Sequence, residues 1–232
     1  MSFTPRARSA SAASALALAL TLTLSGNAAQ AQMAITEVAP WSSGSSPVAA
    51  DWFELTNLGV VAVNLSGWKI DDNSNSFVSS VALVGIVSIA PGESVIFIEG
   101  AAANASFVAT WFGGQAPAGL QIGRYAGTGI GLGAGGDALN VYTAAGTLVT
   151  RVDFGASPAS APFATFDNAA GASGVALTAL SAVGLNGAFV AAAGGEIGSP
   201  GSVGVVPEPG SWALMIAGLA AVGGGIARRR AA

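Results

Sequence analysis

The run Asp71-Asp72-Asn73-Ser74-Asn75-Ser76 gathers hard oxygen ligands in one short stretch. Calcium is held by six to eight such oxygens, so Asp71, Asp72, Asn73 and Asn75 are candidate ligands for Ca²⁺. The run lacks the glycine at the sixth position and the bidentate glutamate at the twelfth that an EF-hand loop carries. An Asx-rich turn between two strands uses the same residue types, with side-chain oxygens capping nearby backbone N–H groups. A second candidate is Gly127-Thr128-Gly129-Ile130-Gly131-Leu132-Gly133, whose glycine density matches a phosphate-binding loop. That chemistry requires a strand before the loop and a helix after it. Neither is expected here and no lysine follows, so the reading is a mobile surface loop. Glycoside hydrolysis needs two carboxyl groups held ~5–10 Å apart across a cleft, and no spacing among the acids singles out such a pair. Glu54, between Phe53 and Leu55, reads as a structural acceptor that faces solvent or a loop backbone.

Two absences narrow the chemistry further. The 232 residues include no Cys and no His. Cys/His zinc sites, thiolate nucleophiles, disulfides and imidazole-based triads are therefore excluded. No catalytic residue is assigned and the expectation is a non-enzyme that needs no cofactor. Charged residues make up only 9% of the chain, against ~25% in an ordinary soluble domain. Ala and Gly together exceed a third of it, so the 52% hydrophobic content overstates the core-forming material. Between residues 32 and 206 lie eleven acids and three bases, a net charge of −8. A surface of that sign repels phosphate backbones, and nucleic acid is not an expected partner.

Both ends of the chain read as addresses. Arg6 and Arg8 precede an apolar stretch from Ala12 to Leu24, and Ala29-Gln30-Ala31 supplies small residues at signal-peptidase spacing. Residues 1–31 are thus expected to be a secretory signal peptide cut after Ala31. The apolar stretch is too short for a membrane-spanning helix. At the other end, Pro207-Glu208-Pro209 precedes an apolar run over 212–227 and then Arg228-Arg229-Arg230. That run is long enough for a single short transmembrane helix, with the arginines as its cytoplasmic stop. A plain C-terminal anchor would use the same parts.

The region between them is patterned for strands. Residues 33–38, 51–57 and 61–65 alternate apolar and polar side chains. Pro91-Gly92 marks a turn before the apolar strand 94–98, and Ala145-Gly146 separates two halves of a hairpin over 137–154. Only 102–112 has the makings of a helix. Many short strands with turn signals between them predict an all-β sandwich. Trp52, Phe53, Leu55, Trp68 and Phe97 are the candidates to fill the gap between its sheets, and Gly67 to allow a bend or close approach before Trp68. Residues 156–206 form an Ala/Gly/Ser-rich extension able to lay an edge strand or short helix on the sandwich. From about Gly194 to Val206 its composition reads as a flexible linker. Exposed sheet edges in so charge-poor a domain lead to an expectation of self-association.

Two resemblances sharpen this picture. Ile35-Thr36-Glu37-Val38, Asp51-Trp52-Phe53-Glu54-Leu55-Thr56-Asn57, Leu65-Ser66-Gly67-Trp68 and Pro91-Gly92-Glu93, in that order, resemble the lamin-tail domain. Gly198-Ser199-Pro200-Gly201 is similar to the closing turn of its bacterial members. The resemblance implies an immunoglobulin-like β-sandwich over residues 32–155, with departures in the Gly/Ala-rich segment 100–135. The tail over 207–232 resembles the PEP-CTERM sorting signal of exopolysaccharide-making Gram-negative bacteria. That resemblance implies recognition by an exosortase near Pro207, Glu208 and Pro209. The expectation is therefore an exported protein with signal peptidase and exosortase as processing partners. It would lie in the inner membrane transiently, then at the cell surface or in the extracellular matrix. There it would contact exopolysaccharide or envelope proteins. A calcium-dependent binding module and an exopolysaccharide hydrolase are the alternatives.

Overall fold

Alternation and β-branching produce β1 (Met33–Ala39) and β2 (Trp52–Asn57) where the pattern predicts them. The computed structural model describes residues 33–41, 46–100 and 103–202. After β2 come β3 (Val63–Asn64), β4 (Lys69–Asp71), β5 (Val81–Ala82), β6 (Ser88–Ile89) and β7 (Ser94–Glu99). The helix α1 (Ala103–Phe112) precedes β8 (Ile122–Tyr125), β9 (Asp137–Tyr142) and β10 (Leu148–Phe154). The chain then adds β11 (Phe163–Ala164), β12 (Phe166–Asp167), β13 (Val175–Leu177), β14 (Phe189–Val190) and β15 (Glu196–Gly198). Two five-stranded sheets result, ordered β12-β1-β2-β7-β8 and β13-β10-β9-β4-β5. They pack face to face as an immunoglobulin-like sandwich.

The core between the sheets holds Ile35, Val38, Phe53, Leu55 and Phe97 from the first and Ile70, Leu139, Val141 and Val152 from the second. Trp68 and Tyr125 also lie in it. The expected hairpin is present: β9 and β10 pair antiparallel, and Gly146 N donates to Thr143 O at 3.0 Å with φ of 84°. Gly67 also behaves as expected, because a Cβ there would lie 2.9 Å from the Ala144 methyl group.

Trp52 is the first correction. It points away from the inter-sheet gap, into a second core with Trp41, Ile96, Ile98, Phe107, Trp111 and Phe163. Neighbouring residues on a strand face opposite ways, so Trp52 and Phe53 cannot fill one gap. The second core exists because the outer face of the first sheet is covered. Phe107 and Trp111, one turn apart on α1, meet Trp52 edge-on at 5.3 and 5.6 Å between ring centroids. A small sheet ordered β11-β15-β14 completes the cover. β1 and β2 are consequently buried along their whole length.

The segment read as a linker from Gly194 is likewise not one over its described part. Glu196 and Gly198 to Pro200 are buried, and β15 pairs parallel with β11 and antiparallel with β14. The glycine loop at 127–133 is not a free surface loop either. Ile130 and Leu132 are buried in the main core, and Leu132 N donates to Asp51 Oδ2 at 2.8 Å. Both seams of the sandwich are crossed by chain. Val84 and Arg124 exchange backbone hydrogen bonds of 3.0 and 2.9 Å at one, and β12, β13 and the Phe166–Leu180 bridge close the other. The open edges that motivated the self-association expectation are therefore covered there. No helix among the described residues is long and apolar enough to cross a membrane, and the run 212–227 lies outside them.

Candidate functional site

The residues of the candidate calcium loop come together around one carboxylate. Asp71 is fully buried, and its two oxygens accept from Ser74 Oγ (3.0 and 2.8 Å), Ser76 N (2.6 Å) and Ser79 Oγ (3.1 Å). Asp72 Oδ1 accepts from Ser74 N at 3.1 Å, which is an Asx turn. Asn75 adopts φ of 50° and its Oδ1 accepts the Tyr142 hydroxyl at 2.6 Å. Asn73 is exposed. Both oxygens of Asp71, Oδ1 of Asp72 and Oδ1 of Asn75 thus accept from protein donors, and no group of three acidic ligands converges among the described residues. The sorting residues Pro207, Glu208 and Pro209, the stop residues Arg228, Arg229 and Arg230, and the cleavage-site residues Ala29 and Ala31 lie outside the described residues.

A different constellation emerges on the outer face of the first sheet. A bulge between Ile35 and Glu37 lets both Ile35 and Val38 reach the main core. Thr36 and Glu37 accordingly both bond to partners on the outer side. Glu37 stands directly opposite Glu54 in the β1–β2 register, and the two are 0% and 1% exposed. Among the described residues neither is paired with a lysine or arginine. The closing turn after β15 satisfies them instead. Ser199 N donates to Glu37 Oε1 at 2.8 Å, and Gly201 N donates to Glu54 Oε2 at 2.7 Å. Hydroxyls complete the set. Thr165 donates to Glu37 Oε1, and Thr36 donates to Glu54 Oε1 at 2.6 Å. From Thr36 a hydroxyl chain continues to Thr56 (2.8 Å) and Ser94 (2.6 Å).

Burial decides the electrostatics. Loss of water raises the Glu37 carboxyl to about 8, with the neighbouring Glu54 adding to the rise against the Thr165 and Ser199 hydrogen bonds. The same burial raises Glu54 to about 7, opposed by Thr36, Gly201, Ser94 and Thr56. Glu196, buried near the second core, rises to about 7 although Val48 N donates to its Oε1 at 3.1 Å. Two adjacent carboxyls in such a site cannot both ionise cheaply, so the pair favours holding a proton. Both carboxyls are buried among donors from the closing turn and the neighbouring strands.

Glu54 was legible in the sequence as a structural acceptor, and it bonds a loop backbone as one of the two alternatives predicted. Glu37 as its partner was missed. The pairing depends on register, and the bulge that sets it leaves no mark in residue types. An open groove of about 500 Å³ was missed for the same reason. It lies at the closed seam, lined by Asp153, Phe154, Phe166, Leu177, Thr178 and Leu180 from three strands and their connections.

A mostly β sandwich whose closing turn after β15 is drawn over buried strand acids is a closed immunoglobulin-like module. The Lamin Tail Domain family model matches residues 27–156, more than half of the chain, and the protein belongs to that family. A second model, the PEP-CTERM protein-sorting motif, matches residues 205–231. This motif implies export, membrane passage to the cell surface and processing by an exosortase. Comparison with curated proteins and with solved structures finds no match.

Proposed function

We propose that this protein is a non-catalytic surface or matrix component whose sandwich is the cargo delivered by its sorting tail. The observation that carries the reading is the adjacency of fold and signal. Gly201 is hydrogen-bonded to buried Glu54, and the sorting motif begins at residue 205. A cut near Pro207–Pro209 would release a sandwich that retains every described strand. The lack of access to Glu37 and Glu54 supports a structural role for the acid pair over hydrolysis of exopolysaccharide. Contacts with polysaccharide or envelope proteins would use the surface, where the groove flanked by Asp153, Thr178 and Leu180 offers apolar walls with a polar rim.

Intact mass combined with fractionation of the native host tests this proposal. The expected product begins at Gln32, ends near the Pro207–Pro209 motif and is recovered from the surface or medium. Replacing Pro207, Glu208 and Pro209 together by alanine should retain the uncut chain in the inner membrane. An uncut wild-type chain held in that membrane would reduce the tail to an anchor and move the search for partners to the periplasm.

A further inference from the structure

The closing segment is fastened to the body of the sandwich by carboxyl groups. Within the six residues 196–201, three buried acids meet it. Glu37 Oε1 accepts from Ser199 N at 2.8 Å, and Glu54 Oε2 accepts from Gly201 N at 2.7 Å. The third acid, Glu196, belongs to β15 itself and accepts from Val48 N at 3.1 Å. Its Oε2 is buried with no hydrogen-bond partner among the described residues. The seat is tight, for a Cβ at Gly198 would collide with Glu37 Oε1 and lie 2.9 Å from the Trp111 ring.

No base stands in this layer to balance the acids. Residues 154–202 carry only two charged side chains, Asp167 and Glu196, and both are acidic. Residues 38–50, which contain the loop beside Glu196, carry none, and neither do residues 100–123 with α1. Glu37 faces Glu54 on β2 and Asp167 on β12, and both neighbours disfavour its charge. Asp167 is itself held by Ala169 N and Asn186 Nδ2. Around Glu54 stand the hydroxyls of Thr36, Thr56 and Ser94. Ionising a carboxyl in so buried a place is costly, whereas keeping it neutral is not. The segment is also lightly laddered. β11 and β14 have two residues each and β15 three, against seven in β1 and six in β2. Short strands with few backbone bonds open at a lower cost than the whole domain.

We propose that residues 196–202 form a pH-sensitive latch. It is closed over the first sheet while Glu37, Glu54 and Glu196 are protonated, and it comes free as they ionise, with the two main sheets left intact. Burial lifts Glu37 to about 8 and Glu54 and Glu196 to about 7, from a free value of 4.5. Closure therefore takes up a proton at each acid and is fully favoured below the free value. Above it, closure weakens by up to about tenfold per pH unit for each carboxyl, until the closed value is passed. With the latch open, the free chain ahead of the sorting motif at residue 205 begins at 196. The latch itself does not rest on the sorting reading.

Hydrogen exchange of the full chain in detergent micelles, read by mass spectrometry and corrected for the intrinsic rate at each pH, tests this. Between pH 5 and pH 8.5, peptides covering 196–202 should lose about a hundredfold or more of their protection. At pH 8.5 they should exchange at least roughly tenfold faster than the β9–β10 hairpin, which stays protected. Glu37→Gln combined with Glu196→Gln keeps the acceptors for Ser199 N and Val48 N. This variant should cut the loss of protection by about tenfold or more. Protection of 196–202 that does not change with pH overturns the latch. Protection equal to that of the hairpin at every pH also overturns it, because the segment then opens only with the whole sandwich. An unchanged pH slope in the double variant does the same. Should that variant fail to fold, the wild-type series still decides.

Discussion

Glu37 and Glu54 face each other across β1 and β2, paired with no lysine or arginine among the described residues, so their protons belong to the fold. A carboxyl whose pKa is higher folded than unfolded stabilises the native state fully below its unfolded value, near 4.5. That contribution is lost as pH rises through the folded value. With folded values of about 7 and about 8, the melting temperature should fall between about pH 5 and pH 8.5. Glu37→Gln keeps the acceptor for Ser199 N and removes the charge. It should match wild type at pH 5, exceed it at pH 8.5 and flatten the slope between. A variant with an unchanged slope would remove the pair from the account. Asp71, whose oxygens are taken by Ser74, Ser76 and Ser79, leads to a second expectation. A ligand that binds only the folded state raises its melting temperature. Millimolar calcium should leave the melting temperature unchanged, and a rise abolished by Asp72→Asn would restore the calcium-module reading.

At the scale of elements, α1 and the β11-β15-β14 sheet form an outer layer over the first main sheet. α1 turns Phe107 and Trp111 onto Trp52, and Trp111 also meets Phe189 of β14 edge-on at 5.6 Å between centroids. Removing a large buried aromatic costs about 3–5 kcal/mol. Trp111→Ala should lower stability by roughly that amount in chemical denaturation, and a loss below about 1 kcal/mol would mean the layer is only loosely attached. The sequence supported this helix weakly, since 102–112 allowed one turn or more without demanding it. The large residues of 103–112 find partners supplied by segments up to eighty residues away, which no local period records. The hairpin β9–β10 was far more legible, because turn chemistry at Ala145-Gly146 and flanking alternation act over neighbouring residues alone.

For the whole molecule, the closing turn sets where the folded unit stops. β15 lies between β11 and β14, and Ser199 and Gly201 reach back to strands more than 140 residues earlier. A chain ending at Ser202 should melt cooperatively at the temperature of the chain ending at Val206. One ending at Gly194 leaves Glu37 and Glu54 without backbone donors and removes β15, so it should melt far lower or fail to fold. Equal stability of the two truncations would show the turn to be dispensable. The fold and the sorting signal thus share a boundary of a few residues.

Composition, alternation and motif order were enough to read an exported β-sandwich, its family and its sorting tail, because each is written in short-range pattern. The absence of Cys and His excluded whole reaction classes for the same reason. Long-range register decided the remainder. Trp52 had to be assigned to an outer core, the Gly194 segment to a central strand and Glu37 to a partner acid. Each of these depends on which distant strand lies alongside, and a residue's type carries no information about that neighbour.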